Sequence, residues 1–243
     1  MPDSLIIIPT YNEKENIERM IRKVFSLPFE FHLLIVDDGS PDGTAIIVKD
    51  LQNVYPGLFI LERKGKLGLG TAYIDGFKWA IERQYDHIFE MDADFSHNPD
   101  DLLKLRDACV AGADMSVGSR YINGVNVVNW PMSRVLMSYF ASVYVRFITG
   151  VDIRDFTAGF VCYKRKVLET INLDKIKFVG YAFQIEMKYT TTKHGFKIVE
   201  VPIIFTDRTL GTSKMSRGIF KEAVWGVIEM KINSIFRKYP EGE

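Results

Sequence analysis

Leu5-Ile6-Ile7-Ile8-Pro9 is an uninterrupted apolar run that leads directly into the polar stretch Thr10-Tyr11-Asn12-Glu13. Leu33-Leu34-Ile35-Val36 repeats this pattern and leads into Asp37-Asp38. Strands that are buried on both faces of a parallel sheet read as continuous apolar runs, whereas half-exposed strands alternate. The two runs therefore predict buried strands, each with polar side chains at its carboxyl end.

Strands and helices alternate along the next part of the chain. Further strands are predicted over residues 58–61, 87–91 and 114–118, with helices over 70–83 and 100–111. This alternation is typical of an open, mostly parallel α/β sheet that is flanked by helices. In such a sheet, ligands bind beyond the carboxyl ends of the strands.

The last third of the chain has a different character. Two helices are predicted there, over residues 133–149 and 216–238, and both combine apolar residues with Arg and Lys. A pair of strands is predicted near residues 160–163 and 198–205. No repeat or linker divides the chain, so we expect one catalytic domain over residues 1–215. A C-terminal amphipathic helix with its tail is expected over residues 216–243.

The composition excludes several functions. The 243 residues carry 31 Lys and Arg against 31 Asp and Glu, so the chain lacks the net basic field of a nucleic-acid-binding protein. Two cysteines are too few for a disulfide framework or a four-cysteine zinc site. The glycines of Gly65-Lys66-Leu67-Gly68-Leu69-Gly70 fit neither common nucleotide motif. Thr71 stands where a P-loop requires lysine, and Tyr73 stands where a dinucleotide fingerprint requires glycine.

The apolar segments are too short to cross a membrane. Residues 5–8 are followed at once by Pro9, which does not fit the apolar core of a secretory signal. Residues 135–145 lie between Arg134 and Arg146, well short of the roughly 20 apolar residues of a transmembrane helix. We expect a protein that is either soluble or peripheral on a membrane.

Asp92-Ala93-Asp94 is the strongest chemical signal in the sequence. It follows the apolar strand predicted over residues 87–91, and alternation along a strand places Asp92 and Asp94 on the same side. Two carboxylates with no cysteine or histidine nearby suit a hard cation, Mg²⁺ or Mn²⁺, that is bound through oxygen. Such an ion usually takes its other ligands from water and from substrate phosphates.

Four segments together resemble the family 2 inverting glycosyltransferases, which have the Rossmann-like GT-A fold. They are Ile8-Pro9-Thr10-Tyr11-Asn12-Glu13, Val36-Asp37-Asp38-Gly39-Ser40-Pro41-Asp42-Gly43-Thr44, Asp92-Ala93-Asp94 and Gly118-Ser119-Arg120-Tyr121. Within that family the chain resembles the dolichyl-phosphate and polyprenyl-phosphate mannose synthases. This second resemblance rests on Gly65-Lys66-Leu67-Gly68-Leu69-Gly70, on Asn129-Trp130-Pro131, and on Phe205, Arg208, Gly211, Ser213 and Lys214.

The resemblance implies roles for particular residues. Asp94 would be the main metal ligand, assisted by Asp92 and by Ser96, where many relatives carry Gln. Asp94, Arg120, Arg208 and Lys214 would be the catalytic residues, and the three cations would face the phosphates of donor and acceptor. The nucleotide sugar would be bound by Pro9, Tyr11, Glu13, Val36, Asp37, Asp38, Lys66, Asp92, Ala93, Asp94, Arg120, Arg208 and Lys214.

The implied reaction is transfer of mannose from GDP-mannose to a polyprenyl, dolichyl-type, phosphate with inversion. A phosphate monoester has a second pKa near about 6, so it is mostly dianionic at neutral pH and can attack without a general base. Three alternatives stay open. The donor can be UDP-glucose or another UDP sugar, the acceptor can be a glycan hydroxyl that needs a base, or the chain can be an inactive nucleotide-sugar-binding subunit.

A polyprenyl acceptor also implies a membrane surface as a partner. The helices predicted over residues 133–149 and 216–238 combine aromatic side chains with Arg and Lys, as helices that lie in the headgroup plane do. The alternatives for both helices are packing on the core and a dimer contact. We expect the protein to be cytoplasmic and peripheral on the cytoplasmic face of a membrane. It resembles the catalytic subunits without transmembrane helices, and a membrane-anchoring subunit stays open as a partner.

Overall fold

A seven-stranded sheet forms the centre of the protein in a computed structural model that describes residues 3–208, 218–236 and 239. In these residues the strands are β1 (Ser4–Thr10), β2 (His32–Asp37), β3 (Leu58–Glu62), β4 (His87–Glu90), β5 (Met115–Ser119), β6 (Val127–Val128), β7 (Val161–Lys164), β8 (Ile198–Pro202) and β9 (Phe205–Thr206). The order in the large sheet is β3-β2-β1-β4-β7-β5-β8, and β6 pairs with β9 separately.

The large sheet is mostly parallel, which confirms the predicted α/β class. β1 pairs in parallel with β2 and β4, β2 with β3, and β5 with β8, whereas β7 is antiparallel to both of its neighbours. The two late strands predicted as a pair, β7 and β8, are not neighbours, because β5 lies between them. The reason is burial. Val161, Cys162 and Tyr163 are fully buried, so β7 takes a central place, whereas the half-exposed β8 lies at the edge.

Helices cover both faces of the sheet. They are α1 (Ile17–Phe25), α2 (Thr44–Gln52), α3 (Leu69–Glu82), α4 (Leu102–Val110), α5 (Met132–Thr149), α6 (Arg165–Thr170), α7 (Tyr181–Lys193) and α8 (Gly218–Phe236). The helices predicted over residues 70–83, 100–111 and 133–149 are confirmed to within two residues at each end. For the helix predicted over 216–238, the first two and last two residues lie outside the described residues.

The first apolar run explains why the sheet is covered on both sides. Leu5 and Ile7 pack into a core with α3, α6 and α7, whereas Ile6 and Ile8 pack into a second core with α1, α2 and α4. All four side chains are fully buried. A strand with a core on each face cannot alternate, as the sequence predicted.

The C-terminal helix packs against the rest of the chain. Val227 and Met230 of α8 share a third apolar cluster with Val145 of α5 and Tyr189 of α7. The Tyr144 hydroxyl donates to the Val224 carbonyl at 2.9 Å. The predicted division at residue 215 stays a prediction. None of the described helices is both long and apolar enough to cross a bilayer.

Candidate active site

The carboxyl ends of the central strands open into a cavity of about 620 Å³. The structure thereby brings together residues that are far apart in sequence, as the strand-end prediction required. Of the predicted site residues, those that line the cavity are Pro9, Tyr11, Glu13, Asp38, Lys66, Asp92, Ala93, Asp94, Arg120 and Arg208. Lys214 lies outside the described residues.

Three predicted residues, Val36, Asp37 and Ser96, are buried and do not line the cavity. Val36 is fully buried in the core of the sheet. The Asp37 carboxylate accepts hydrogen bonds from Thr10 Oγ1 at 2.8 Å, from the Ser40 backbone N–H at 2.8 Å and from the Ser40 hydroxyl at 2.6 Å. Asp37 therefore ties the ends of β1 and β2 together, and a direct contact of Val36 or Asp37 with a nucleotide stays a prediction.

Asp38 is held at the cavity by a cation that the sequence analysis missed. Arg63 Nε lies 3.2 Å from Asp38 Oδ1, and both side chains are nearly inaccessible. The Leu67 backbone N–H also donates to Asp38 Oδ2, at 3.3 Å. Burial raises the pKa of Asp38, and Arg63 opposes that rise. Nearby, the Lys66 ammonium lies 5.2 Å from the centre of the Tyr11 ring.

The Asp92-Ala93-Asp94 segment ends in a tight turn. Phe95 has a backbone φ of 60°, in the left-handed region that non-glycine residues rarely adopt. The turn lets the Ser96 backbone N–H donate to Asp94 Oδ1 at 3.0 Å. It also returns His97 to Asp92, where its Nδ1 accepts from the Asp92 backbone N–H at 3.3 Å. The expectation that no histidine lies near these carboxylates was therefore wrong, since the turn brings His97 back.

The ionisable groups at this turn have pKa values that are shifted in different directions. Burial opposes ionisation of Asp94, but hydrogen bonding from Ser96 and the charge of Arg208 lower its pKa. Arg208 Nη2 lies 3.0 Å from Asp94 Oδ2. The pKa of Asp92 is raised by partial desolvation and by the neighbouring charge of Asp94. The Asp92 side chain is still 40% exposed. Burial lowers the pKa of His97 to about 4, so this imidazole is neutral at pH 7.

The donor atoms at the turn fit a hard divalent cation. Asp92 and Asp94 supply carboxylate oxygens, and the Ser96 hydroxyl is buried at the same turn. In the described ranges no three His, Cys, Asp or Glu side chains are placed to enclose a metal ion. Such a partial ligand set is typical of Mg²⁺ or Mn²⁺ sites that are completed by water and by phosphate oxygens.

Arg120 is fixed in the cavity wall by Asp155, which carried no sequence signal. Asp155 Oδ2 accepts from Arg120 Nε at 2.7 Å and Oδ1 accepts from Nη2 at 2.6 Å. The Arg120 Nη2 also donates to Thr157 Oγ1 at 2.7 Å. Burial opposes ionisation of Asp155, but the charge and hydrogen bonds of Arg120 lower its pKa.

A second cation at the cavity was also missed. Arg134 of α5 lines the cavity and donates from Nη1 to Asp207 Oδ1 at 2.8 Å. Its guanidinium lies 4.1 Å from the centre of a Trp130 ring. Trp130 belongs to the Asn129-Trp130-Pro131 segment, which the sequence analysis singled out. No sequence pattern pointed to Arg134 as a site residue.

Comparison with known proteins places these residues in a family context. The family model described as "Glycosyl transferase family 2" matches residues 5–171. A polyprenol monophosphomannose synthase of Mycolicibacterium smegmatis is 46% identical over 230 residues, which cover 92% of this chain and 87% of that protein. An undecaprenyl-phosphate mannosyltransferase of Micrococcus luteus is 45% identical over 228 residues, which cover 92% of this chain and 93% of that protein.

Solved structures show the same fold at much lower identity. Glucosyl-3-phosphoglycerate synthase of Mycobacterium tuberculosis, in complex with Mn²⁺, UDP and glucosyl-3-phosphoglycerate, has a TM-score of 0.68 at 16% identity over 98% of this chain and 81% of that one. The mannosyltransferase PcManGT of Pyrobaculum calidifontis, in complex with GDP-Man and Mn²⁺, has a TM-score of 0.59 at 14% identity. The match covers 97% of this chain and 74% of that one. These likenesses confirm the predicted GT-A fold.

Proposed function

This chain belongs to glycosyl transferase family 2 and is a glycosyltransferase, and we propose that it transfers mannose from GDP-mannose to a polyprenyl phosphate with inversion. The observation that carries the proposal is the agreement of two relatives, both at least 45% identical along 92% of the chain and both named for mannosyl transfer involving a polyprenol or its phosphate. The geometry of the cavity supports the same reaction.

The donor occupies the end of the cavity that is formed by β1, β2 and β4. Tyr11 and Lys66 lie at the nucleotide end, and Asp38 is fixed there by Arg63. A carboxylate held in this way can accept hydrogen bonds from a base or a ribose hydroxyl without moving. Two solved structures of this fold were obtained with a nucleotide or a nucleotide sugar together with Mn²⁺, which supports the same kind of donor here.

Asp92, Asp94 and Ser96 would hold Mg²⁺ or Mn²⁺ beside the donor diphosphate. When bound, the ion would neutralise charge that develops on the leaving diphosphate. Arg208 already lies 3.0 Å from Asp94 and therefore stands where it can meet a phosphate oxygen. Arg120 is held in the cavity wall by Asp155, and Lys214 is proposed to act with Arg208 on the phosphates. Preorganised cations of this kind stabilise the transition state electrostatically.

The distribution of carboxylates supports a phosphate acceptor. Among the described residues, the carboxylates that line the cavity are Glu13, Asp38, Asp92 and Asp94. All four follow β1, β2 or β4, on the donor side. The wall formed by residues 157–159 and α7 contributes Thr157 and Gln184. A hydroxyl acceptor would need a base, whereas a dianionic phosphate attacks the anomeric carbon directly.

α5 provides a surface that suits the membrane that holds such an acceptor. The exposed fractions are 69% for Met132, 47% for Leu136, 61% for Phe140 and 85% for Phe147. These residues recur at helical spacing along one side, and α5 begins next to Arg134 at the cavity. We propose that this face inserts between lipid headgroups and that the protein is peripheral on the cytoplasmic face of a membrane.

Two experiments test the proposal. Purified protein with Mg²⁺ is given GDP-[¹⁴C]mannose and either a polyprenyl phosphate or the matching polyprenol. Label in the organic phase is expected only with the phosphate, and the product is expected to show the β configuration by NMR. Equal labelling of the alcohol would contradict the phosphate acceptor, and an α product would contradict inversion.

The membrane contact is tested by sedimentation with phosphatidylcholine and phosphatidylglycerol vesicles. The double variant Phe140→Ser, Phe147→Ser is expected to stay in the supernatant. The matched control is the double variant Ile46→Ser, Val110→Ser. Ile46 of α2 is 65% exposed and Val110 of α4 is 59% exposed. Equal sedimentation of both double variants would show that α5 does not contact the lipid.

A further inference from the structure

A buried charged network lies against the cavity between β4, β7 and α7. Glu90 and Lys188 are both fully inaccessible to solvent, and Gln184 lies between them with 4% exposure. The Gln184 Nε2 donates to Glu90 Oε2, and Tyr163 donates to Glu90 Oε1 at 3.0 Å. Lys188 Nζ donates to Gln184 Oε1 at 3.2 Å and to the Ala158 carbonyl at 2.6 Å. Burial of two charges is costly, so a gain in folding stability does not by itself account for such a network.

The network permits only one orientation of the Gln184 amide. An ionised carboxylate only accepts hydrogen bonds and an ammonium only donates them. The amide nitrogen must therefore face Glu90, and the amide oxygen must face Lys188. A side-chain amide carries two hydrogens, and the Glu90 contact uses one of them.

Gly159 leaves open space next to this amide. A Cβ atom at position 159 would lie 3.8 Å from Gln184 Nε2 and 4.0 Å from His97 Cε1, which are ordinary contact distances. Gly159, Gln184, His97 and Asp92 all line the cavity. Asp92 Oδ2 lies 3.8 Å from His97 Nδ1. The space therefore has an amide donor on one side and, past the imidazole edge, a carboxylate acceptor on the other.

We propose that this space is the sugar subsite of the cavity, and that Gln184 is a specificity-determining residue whose amide N–H donates to a hydroxyl of the hexosyl group. Glu90 and Lys188 are positioning residues, because they act on the sugar only through the orientation of Gln184. The inference rests on the proposed function in taking the cavity to hold a nucleotide sugar. Sugar hydroxyls both donate and accept, so the amide and the Asp92 carboxylate can recognise neighbouring hydroxyls on one ring.

The test compares the affinity for a nucleotide sugar with that for its nucleoside diphosphate, by calorimetry in the presence of Mn²⁺. Gln184→Leu is expected to weaken GDP-mannose binding by about 3- to 10-fold, the usual value of one hydrogen bond, and to leave GDP binding unchanged. Gly159→Ala is expected to do the same, because its methyl group enters the sugar space at an ordinary contact distance from Gln184 Nε2 and displaces no atom of the network. Gln52→Leu on α2 is the matched control and should change neither affinity.

The positioning role has a separate readout. Glu90→Leu removes the acceptor that fixes the amide, so the ratio of GDP-mannose to GDP-glucose affinity is expected to fall several-fold while GDP affinity stays constant. A merely structural role would lower the melting temperature and leave this ratio unchanged, which would overturn the positioning role. If Gln184→Leu does not fold, Gly159→Ala decides the subsite on its own.

Equal weakening of GDP and GDP-mannose in the folded variants would overturn the sugar subsite, as would no change in either. Failure of the proposed function gives a different pattern. If the wild type prefers UDP-glucose, the donor assignment is wrong, and the same variants are then compared on UDP-glucose against UDP. The subsite proposal is therefore tested whichever donor the wild type binds.

Discussion

Asp155→Asn should destabilise the protein strongly, because it removes the buried carboxylate that pairs with the Arg120 guanidinium. Asp155 is fully buried and the Arg120 side chain is 8% exposed. The carboxylate accepts from Arg120 Nε at 2.7 Å, from Nη2 at 2.6 Å and from the Arg120 backbone N–H at 3.0 Å. Asparagine keeps the shape, but its amide nitrogen cannot accept and would face an N–H of Arg120.

The magnitude follows from the burial of the pair. Removal of one partner of a buried ion pair costs about 3–5 kcal/mol. In a chain of this size, 1 kcal/mol shifts the melting temperature by about 2–4 °C, so we expect a fall of roughly 6–20 °C. The same change at an exposed pair is worth at most about 1 kcal/mol.

Thermal and urea unfolding, followed by circular dichroism, measure this difference. The matched control is Asp152→Asn, which breaks the 2.6 Å pair between Arg146 and an aspartate that is 76% exposed. We expect the control to melt close to the wild type. If Asp155→Asn also melted within about 2 °C of the wild type, the Arg120 pair would contribute far less than its burial implies.

Three further substitutions have defined outcomes. Burial lowers the pKa of His87 below 6.5, so the free energy of unfolding falls as the pH falls below that value. His87→Asn lacks this titration, and its free energy of unfolding, measured by urea titration, should fall less between pH 7.5 and 5.5 than that of the wild type. Arg208→Gln removes the cation from Asp94, so Mn²⁺ affinity measured by EPR without nucleotide should rise about 2- to 5-fold; unchanged affinity would contradict their competition. Gly76→Ala places a Cβ 2.8 Å from Ile7 Cγ2 and should cost about 1–3 kcal/mol in urea unfolding; an unchanged midpoint would contradict this contact.

Local patterns were sufficient to predict much of the fold. The continuous apolar run at Ile6, Ile7 and Ile8 predicted a strand with a core on each face, and that is where the strand lies. The insertion of β7 between β4 and β5 was not predictable in this way, because strand order depends on which strand is the more buried. That comparison involves the whole sheet.

The site shows the same division. Asp92 and Asp94 were identifiable because the strand and its polar end are contiguous in sequence, and the family motifs added Arg120 and Arg208. Asp155 is 35 residues from Arg120, so only the folded chain brings the two together.

His97 was misjudged for a local reason. The left-handed backbone conformation of Phe95 is not predictable from the sequence, because phenylalanine rarely adopts it. Gln184 carried no sequence signal, because the orientation of its amide depends on Glu90 of β4 and Lys188 of α7, which only the folded chain brings together.

The central claim is mannosyl transfer from GDP-mannose to a polyprenyl phosphate, and one parallel assay tests it most directly. Purified protein, Mg²⁺ and a short polyprenyl phosphate are incubated with radiolabelled GDP-mannose or with radiolabelled UDP-glucose, and label is counted in the organic phase. The account predicts lipid label from GDP-mannose alone. Label from UDP-glucose alone would contradict the proposed donor, and lipid label from neither, with tight binding of GDP-mannose, would contradict the proposed acceptor.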